Sequence, residues 1–157
     1  MIDFTQHNHR FTYRTAGVAI QDGHILLHTM DDANYWILPG GRVEIGETSA
    51  EALAREMREE LGQDVHVERL LWIVESFLTL DDQRVHSIGL YYRTSFPAGS
   101  RLATQRDAFE VMDGGVRLSF AWHPLSRLSE LTVYPPFLQQ RLHALPDHPT
   151  HILDMRP

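Results

Sequence analysis

The sequence predicts an α/β protein, and three observations carry that expectation. One strongly capped helix lies near the middle of the chain, stretches rich in aromatic and β-branched residues lie on both sides of it, and tight turn signals separate neighbouring stretches. The 157 residues fit one ordinary domain. It is read as 1–157, with 1–9 and about 146–157 as tails.

Phe11 to Ile20 reads as a strand, and Asp22-Gly23 turns it into the apolar run Ile25-Leu26-Leu27, which makes a hairpin. Tyr35 to Leu38 is a short buried strand stopped by Pro39-Gly40-Gly41. The helix runs from Thr48 to Leu61, with Thr48 as N-cap, Glu51 as its capping-box partner and Gly62 just past the end. Val65 to Leu80 and Val85 to Ser95 predict a second hairpin around Asp81-Asp82-Gln83-Arg84. Phe96 to Gly115 has no steady period and contains Pro97, Gly99, Gly114 and Gly115, so it reads as a long loop. Val116 to Trp122 is a further strand, His123-Pro124-Leu125 a turn, and Pro135 to Leu145 a helix with prolines in its first turn.

Composition narrows the function classes. A formal net charge of −7 works against binding nucleic-acid backbones, so no stable nucleic-acid complex is expected. No apolar run approaches the roughly 18 residues of a membrane span, and the first residues lack the basic and apolar regions of a signal peptide. The absence of cysteine removes disulfides, thiolate metal sites and thiol nucleophiles, and is compatible with a cytoplasmic address.

The chemistry lies on the helix. Glu56, Glu59 and Glu60 stand at i, i+3 and i+4 on one side, while Leu53, Met57 and Leu61 form a separate apolar face. Like charges at this spacing repel by roughly 0.2–0.5 kcal/mol per pair, a penalty that a bound cation reverses. Mg²⁺ takes oxygen ligands, often one or two carboxylates together with substrate phosphates. A solvated charged face is the alternative for any Glu-rich helix. Here the residues before the helix argue against it: from Gly41 there follow five residues, Glu47, seven residues, then Arg55-Glu56-Met57-Arg58-Glu59-Glu60-Leu61-Gly62.

This array resembles the Nudix box position by position; one departure is Gln63, where the family usually has an apolar residue. Phe11 to Thr29, Trp36 to Gly41 and Ala121 to Leu125 are also similar to the family in pattern. The resemblance implies the Nudix-type α/β/α sandwich with a mixed β-sheet. It implies Glu56 and Glu60 as main metal ligands, Glu59 as a further ligand or water-orienting base, and the Gly41 carbonyl as another donor. Glu47 would pair with Arg55 and aim Glu56. Family members recruit another carboxylate from a distant loop; of Asp107, Glu110 and Asp113, Glu110 is the choice. The implied reaction is Mg²⁺-dependent attack of water on a nucleoside diphosphate joined to another moiety, with Mn²⁺ as a substitute metal.

Arg14 and Arg42 are candidates for binding phosphate oxygens through their planar donor forks. Tyr13, Tyr35, Phe77 and Tyr92 are candidates for stacking on a base, against a core role, and Trp36 and Trp122 read as core. His7, His9, His148 and His151 offer no third ligand at zinc spacing, and His86 on a strand is a weak site candidate. The expected partner is a small nucleotide-type molecule, and a homodimer would match the family's habit. The rival reading is a regulator that binds nucleotides on the same fold without turnover, a role in which the box glutamates are usually lost. Isomerisation of isoprenoid diphosphates needs a cysteine that this chain lacks.

Overall fold

Long strands with alternating burial organise the molecule, described over residues 1–157 by a computed structural model. The strand common to both halves of the sheet is β2 (His9–Gln21). From His9 to Ala19 it runs parallel to β7 (Gln83–Ser95), and at Ile20 and Gln21 it crosses to β3 (His24–Met30). Asp22 and Gly23 both take positive φ, 49° and 71°, the geometry that matches a two-residue turn to the twist of its strands.

On one side, β7 folds back on β6 (His66–Leu80), and β11 (Thr150–Met155) lies parallel to β6 at the edge. On the other, β3 is flanked by β4 (Trp36–Ile37) and β9 (Val116–Pro124), which in turn carry β10 (Val133–Tyr134) and β8 (Phe109–Asp113). Two short strands, β1 (Asp3–Gln6) and β5 (Gly40–Arg42), pair antiparallel with β2. The sheet is therefore mixed.

Helix α1 (Ser49–Leu61) covers one face. Thr48 Oγ1 accepts from the Glu51 amide at 3.2 Å while the Glu51 carboxylate accepts from the Thr48 amide at 2.8 Å, and Gly62 ends the helix in the left-handed region at φ 62°. Leu53, Met57 and Leu61 are buried against Ala19, Leu26 and Phe120. Each such side chain contributes roughly 1.5–3 kcal/mol by leaving water, so Leu53→Ala, at a fully buried position, should destabilise this layer by about 2–5 kcal/mol. The opposite face packs Val18, Ile25 and Trp72 against Leu128 and Leu138, from the 3-10 turn Leu125–Glu130 and helix α3 (Leu138–Arg141). Helices on both sides of a mixed sheet make the α/β/α sandwich.

Three expectations are corrected. Both supposed tails contain strands: β1 pairs with β2, and β11 is held on β6 with Ile152 buried, so tertiary pairing orders segments that look unstructured alone. The stretch Phe96 to Gly115 holds helix α2 (Arg101–Thr104) and β8, because Leu102 and Phe109 pack into the α1-side core. The helix expected from Pro135 to Leu145 is reduced to Leu138–Arg141; His143 and Ala144 donate to carbonyls three residues back, a tighter winding that ends it.

Candidate active site

Strand β5 is the pivot of the site. Its side chains alternate, so Gly40 and Arg42 face a cavity of about 630 Å³ while Gly41 faces α1. A β-carbon on Gly41 would lie 2.5 Å from both carboxylate oxygens of Glu56, and one on Gly40 would lie 2.8 Å from the Ala16 α-carbon. Glycine at both positions is thus a requirement of close approach: β5 to β2 on one side, β5 to a carboxylate on the other.

Arg55 joins these parts. Its guanidinium donates to Glu47 at 2.6 and 3.2 Å, to the Arg42 carbonyl at 3.1 Å, to Glu56 at 2.9 Å and to Glu59 at 3.4 Å. The Glu47 side chain also accepts from the Glu44 amide at 2.8 Å, tying the loop before α1 to its first turns. Paired in this way, Glu47 is held below the usual carboxylate range, chiefly by the hydrogen bonds from Arg55, and Arg55 is raised by the same bonds.

The three glutamates form a gradient of burial. Glu59 is exposed, Glu56 is largely covered and Glu60 is buried. Burial pushes Glu56 up, against the pull of Arg55. Glu60 is pushed up to about 8, first by burial and then by the charges of Glu56 and Asp113, and its Oε2 is buried without a hydrogen-bond partner. An oxygen-only donor set with an orphaned buried carboxylate is short of positive charge, which fits a hard divalent cation. The three carboxylates are not drawn into one coordination cluster in this structure; Arg55 bridges Glu56 and Glu59 instead.

Of the loop acids, Asp113 is the one whose charge reaches Glu60. Asp113 lies on the same face of β8 as Phe109 and Val111, which pack toward the α1-side core. Glu110 lies on the alternate face, with its carboxylate 3.5 Å from Ser119 Oγ and 4.0 Å from Arg117 Nε. Glu110 is thus held on the Ser119 and Arg117 side of β8, and the acid whose charge acts on Glu60 stands three positions on. Strand alternation decides this, and a reading of the segment as loop could not see it.

Across β5 from the glutamates, Arg14 on β2 lies directly opposite Arg42. Like charges in register repel, and burial together with Arg42 draws Arg14 below the ordinary arginine value although Glu56, Glu60 and Tyr91 favour its charge. Arg14 and Arg42 both line the cavity, as do Tyr35 and Tyr134, whose rings meet edge to face at 5.4 Å. Tyr92 instead meets Ser49 at 2.7 Å, and Phe77 stacks on His86 at 4.4 Å, outside that cavity. Trp122 is buried core, and Trp36 packs edge-on against His123. Arg10 and Arg156 also line the cavity and escaped the sequence reading. The alternation Arg10, Thr12, Arg14 carried a usable signal for the first; Arg156 sat in a supposed tail.

Fold and site together define an α/β/α protein in which a carboxylate-bearing helix and an arginine-lined cavity lie on opposite sides of β5. The chain belongs to the NUDIX domain family, whose model matches residues 12–145. It is similar to human 8-oxo-dGDP phosphatase NUDT18, 34% identical over 93 residues that make up 59% of this chain and 25% of that protein. The chain thus spans a minor part of the curated relatives it matches, 25% and 36% of the first two. Among solved structures it resembles a UDP-X diphosphatase, with a TM-score of 0.57, 15% identity and coverage of 93% of this chain and 66% of that one. An ADP-ribose pyrophosphatase from Streptococcus suis gives a TM-score of 0.55 at 19% identity, covering 91% and 98%. At these identities the structures speak for the fold. No helix is long and apolar enough to cross a membrane.

Proposed function

We propose that this chain is a pyrophosphohydrolase that cleaves the phosphoanhydride bond of a nucleoside diphosphate joined to a further group. The observation that carries this reading is the buried, unpartnered Glu60 carboxylate, with Glu56 held by Gly41 and Arg55, across β5 from the cavity where Arg14 has no carboxylate partner. Family membership and the pyrophosphatase and diphosphatase names of similar proteins support it.

Glu56, Glu60 and Glu59 would hold the cation, with the Gly41 carbonyl as a further donor, and Mg²⁺ suits such a set, with Mn²⁺ as a substitute. When bound, that cation supplies neutralisation of phosphate charge and a more acidic water. Arg14 and Arg42 orient the diphosphate from the cavity side through paired N–H donors. Glu59, the exposed one of the three, would serve as that further ligand or orient the attacking water. Arg55 holds Glu56 in position without touching substrate. Asp113, whose charge acts on Glu60, would be the added acid in place of Glu110.

The test is a panel of diphosphate compounds with Mg²⁺ and with Mn²⁺, scored for products, on wild type and Glu56→Gln. Metal-dependent release of a nucleoside monophosphate by wild type, reduced about a thousandfold or more in the variant, is expected. Full activity in Glu56→Gln would refute the assignment.

A further inference from the structure

Helix α1 covers only part of its own side of the sheet. Met57 occupies the space over Gly17 and Ser49 meets Tyr92 at 2.7 Å, while farther along the same strands the side chains stand open to solvent. Strand register turns this uncovered part into continuous rows. Phe4, Phe11, His86, Phe77 and Met155 stand side by side across β1, β2, β7, β6 and β11. The first four rings touch in sequence, with centroids 5.4, 5.3 and 4.4 Å apart. Tyr13, Ile88, Glu75 and Leu153 form the next row, and Leu90 and Ile73 lie in the one nearest α1. Four of the eight large apolar side chains that the protein exposes, Phe4, Ile73, Leu153 and Met155, fall on this face. A sheet face left to water normally carries polar residues, and a contiguous apolar patch marks an interaction surface.

Size, shape and charge say what covers it. Five strands about 4.8 Å apart and three rows about 7 Å apart, with side-chain margins, give a footprint of roughly 500 Å². Two such faces together bury roughly 1,000 Å², the level a specific pairing has to reach. Glu75 is the one acid in these rows, bonded to the exposed His151 ring at 2.7 Å, and Arg84, one row farther from α1, makes no ion pair within the chain. Because α1 rises from the same face at one end of the strands, a second copy fits only with its strands reversed, about a two-fold axis along the row Phe11-His86-Phe77-Met155. Each α1 then lies beyond the other copy's Asp81-Asp82 turn. The sheets stack about 10 Å apart, and Arg84 of each copy comes beside Glu75 of the other.

We infer that the side of β1, β2, β7, β6 and β11 left bare by α1 is the interface of a homodimer. Its aromatic row faces its own counterpart, and Arg84 meets Glu75 across the axis in both directions.

Analytical ultracentrifugation of the full chain, up to roughly 100 µM and so above the micromolar range of a small interface, reads the assembly. Wild type should sediment at twice the chain mass at the upper end. Leu153→Glu and Met155→Glu, both at exposed positions, should each weaken pairing at least about tenfold, whereas Met112→Glu, exposed on β8 away from this face, should leave it unchanged. Arg84→Glu and Glu75→Arg should each weaken it, and the two together should restore it, because the ion pair re-forms with its signs exchanged. Circular dichroism identifies any variant that fails to fold, in which case the others decide. A wild type that stays monomeric at every concentration overturns the interface, as does a dimer indifferent to Leu153→Glu and Met155→Glu. A monomer that binds phosphatidylcholine vesicles through these residues overturns it too, by making the face a lipid surface. A double exchange that restores nothing overturns the reversed arrangement.

Discussion

Gly41 and Glu56 touch so closely that a single methyl group on the glycine would fall 2.5 Å from both carboxylate oxygens. The backbone of β5 therefore acts as the template that sets the direction of a helix side chain fifteen positions later in the chain. Gly41→Ala should push Glu56 away while leaving the apolar face of α1 packed. The expectation is a loss of about 100-fold in kcat/KM with a modest change in Tm. Near wild-type turnover in this variant would show that Glu56 does not need its present orientation.

Arg55 makes five hydrogen bonds through one planar group, two of them to Glu47. Lysine keeps the charge and loses the fork. Arg55→Lys should lower kcat/KM about 10- to 100-fold, and Glu47→Gln should lower it less. Because the two act through the same contact, the double variant should fall short of the product of the single losses, as a double-mutant cycle in kcat/KM would measure. Simple multiplication of the losses would separate the two roles.

Glu60 gives the metal-free protein a pH dependence of definite sign. Its ordinary value of 4.5 is raised to about 8 in the folded state, first by burial. Below about pH 4.5 both states carry the proton; from there to about 8 the unfolded chain releases it and the folded chain keeps it. Stability should therefore fall as pH rises across that window, and Glu60→Gln should flatten the fall in thermal unfolding profiles. Cation binding displaces the proton, so Mg²⁺ affinity measured by titration should rise up to about tenfold per pH unit until about pH 8. An affinity independent of pH would remove Glu60 from the ligand set.

His28 acts at the acid end. It is buried on β3, stacked on Phe120 at 5.0 Å, and burial lowers it from 6.5 to about 4 despite a backbone hydrogen bond to Leu38. Between these values the unfolded chain binds a proton that the folded chain refuses, so stability declines as pH falls from about 6.5 toward 4. His28→Phe should weaken that decline in urea denaturation at pH 6.5 and 4.5. The same slope in both proteins would assign acid sensitivity to other groups.

Much of the site could be read from spacing alone. A helix with a Thr48 cap, a Gly62 stop and carboxylates at 56, 59 and 60 is a local structure, and local sequence determines it through hydrogen bonds and periodicity within a few turns. The Asp22-Gly23 hairpin and the long strands are legible for the same reason. What tertiary structure decided is which distant side chains share a face. Glu110 and Asp113 look equivalent in sequence, yet in β8 they fall on alternate faces, and Asp113 is the one whose charge acts on Glu60. Arg156 belongs to an unremarkable C-terminus until β11 pairs with β6 and carries it to the cavity. Phe11, His86 and Phe77 lie in three different strands and become one row only through register between strands. Periodicity determines a side chain's place within its own element; the pairing of elements far apart in the chain depends on cooperative burial, which no local window of sequence contains.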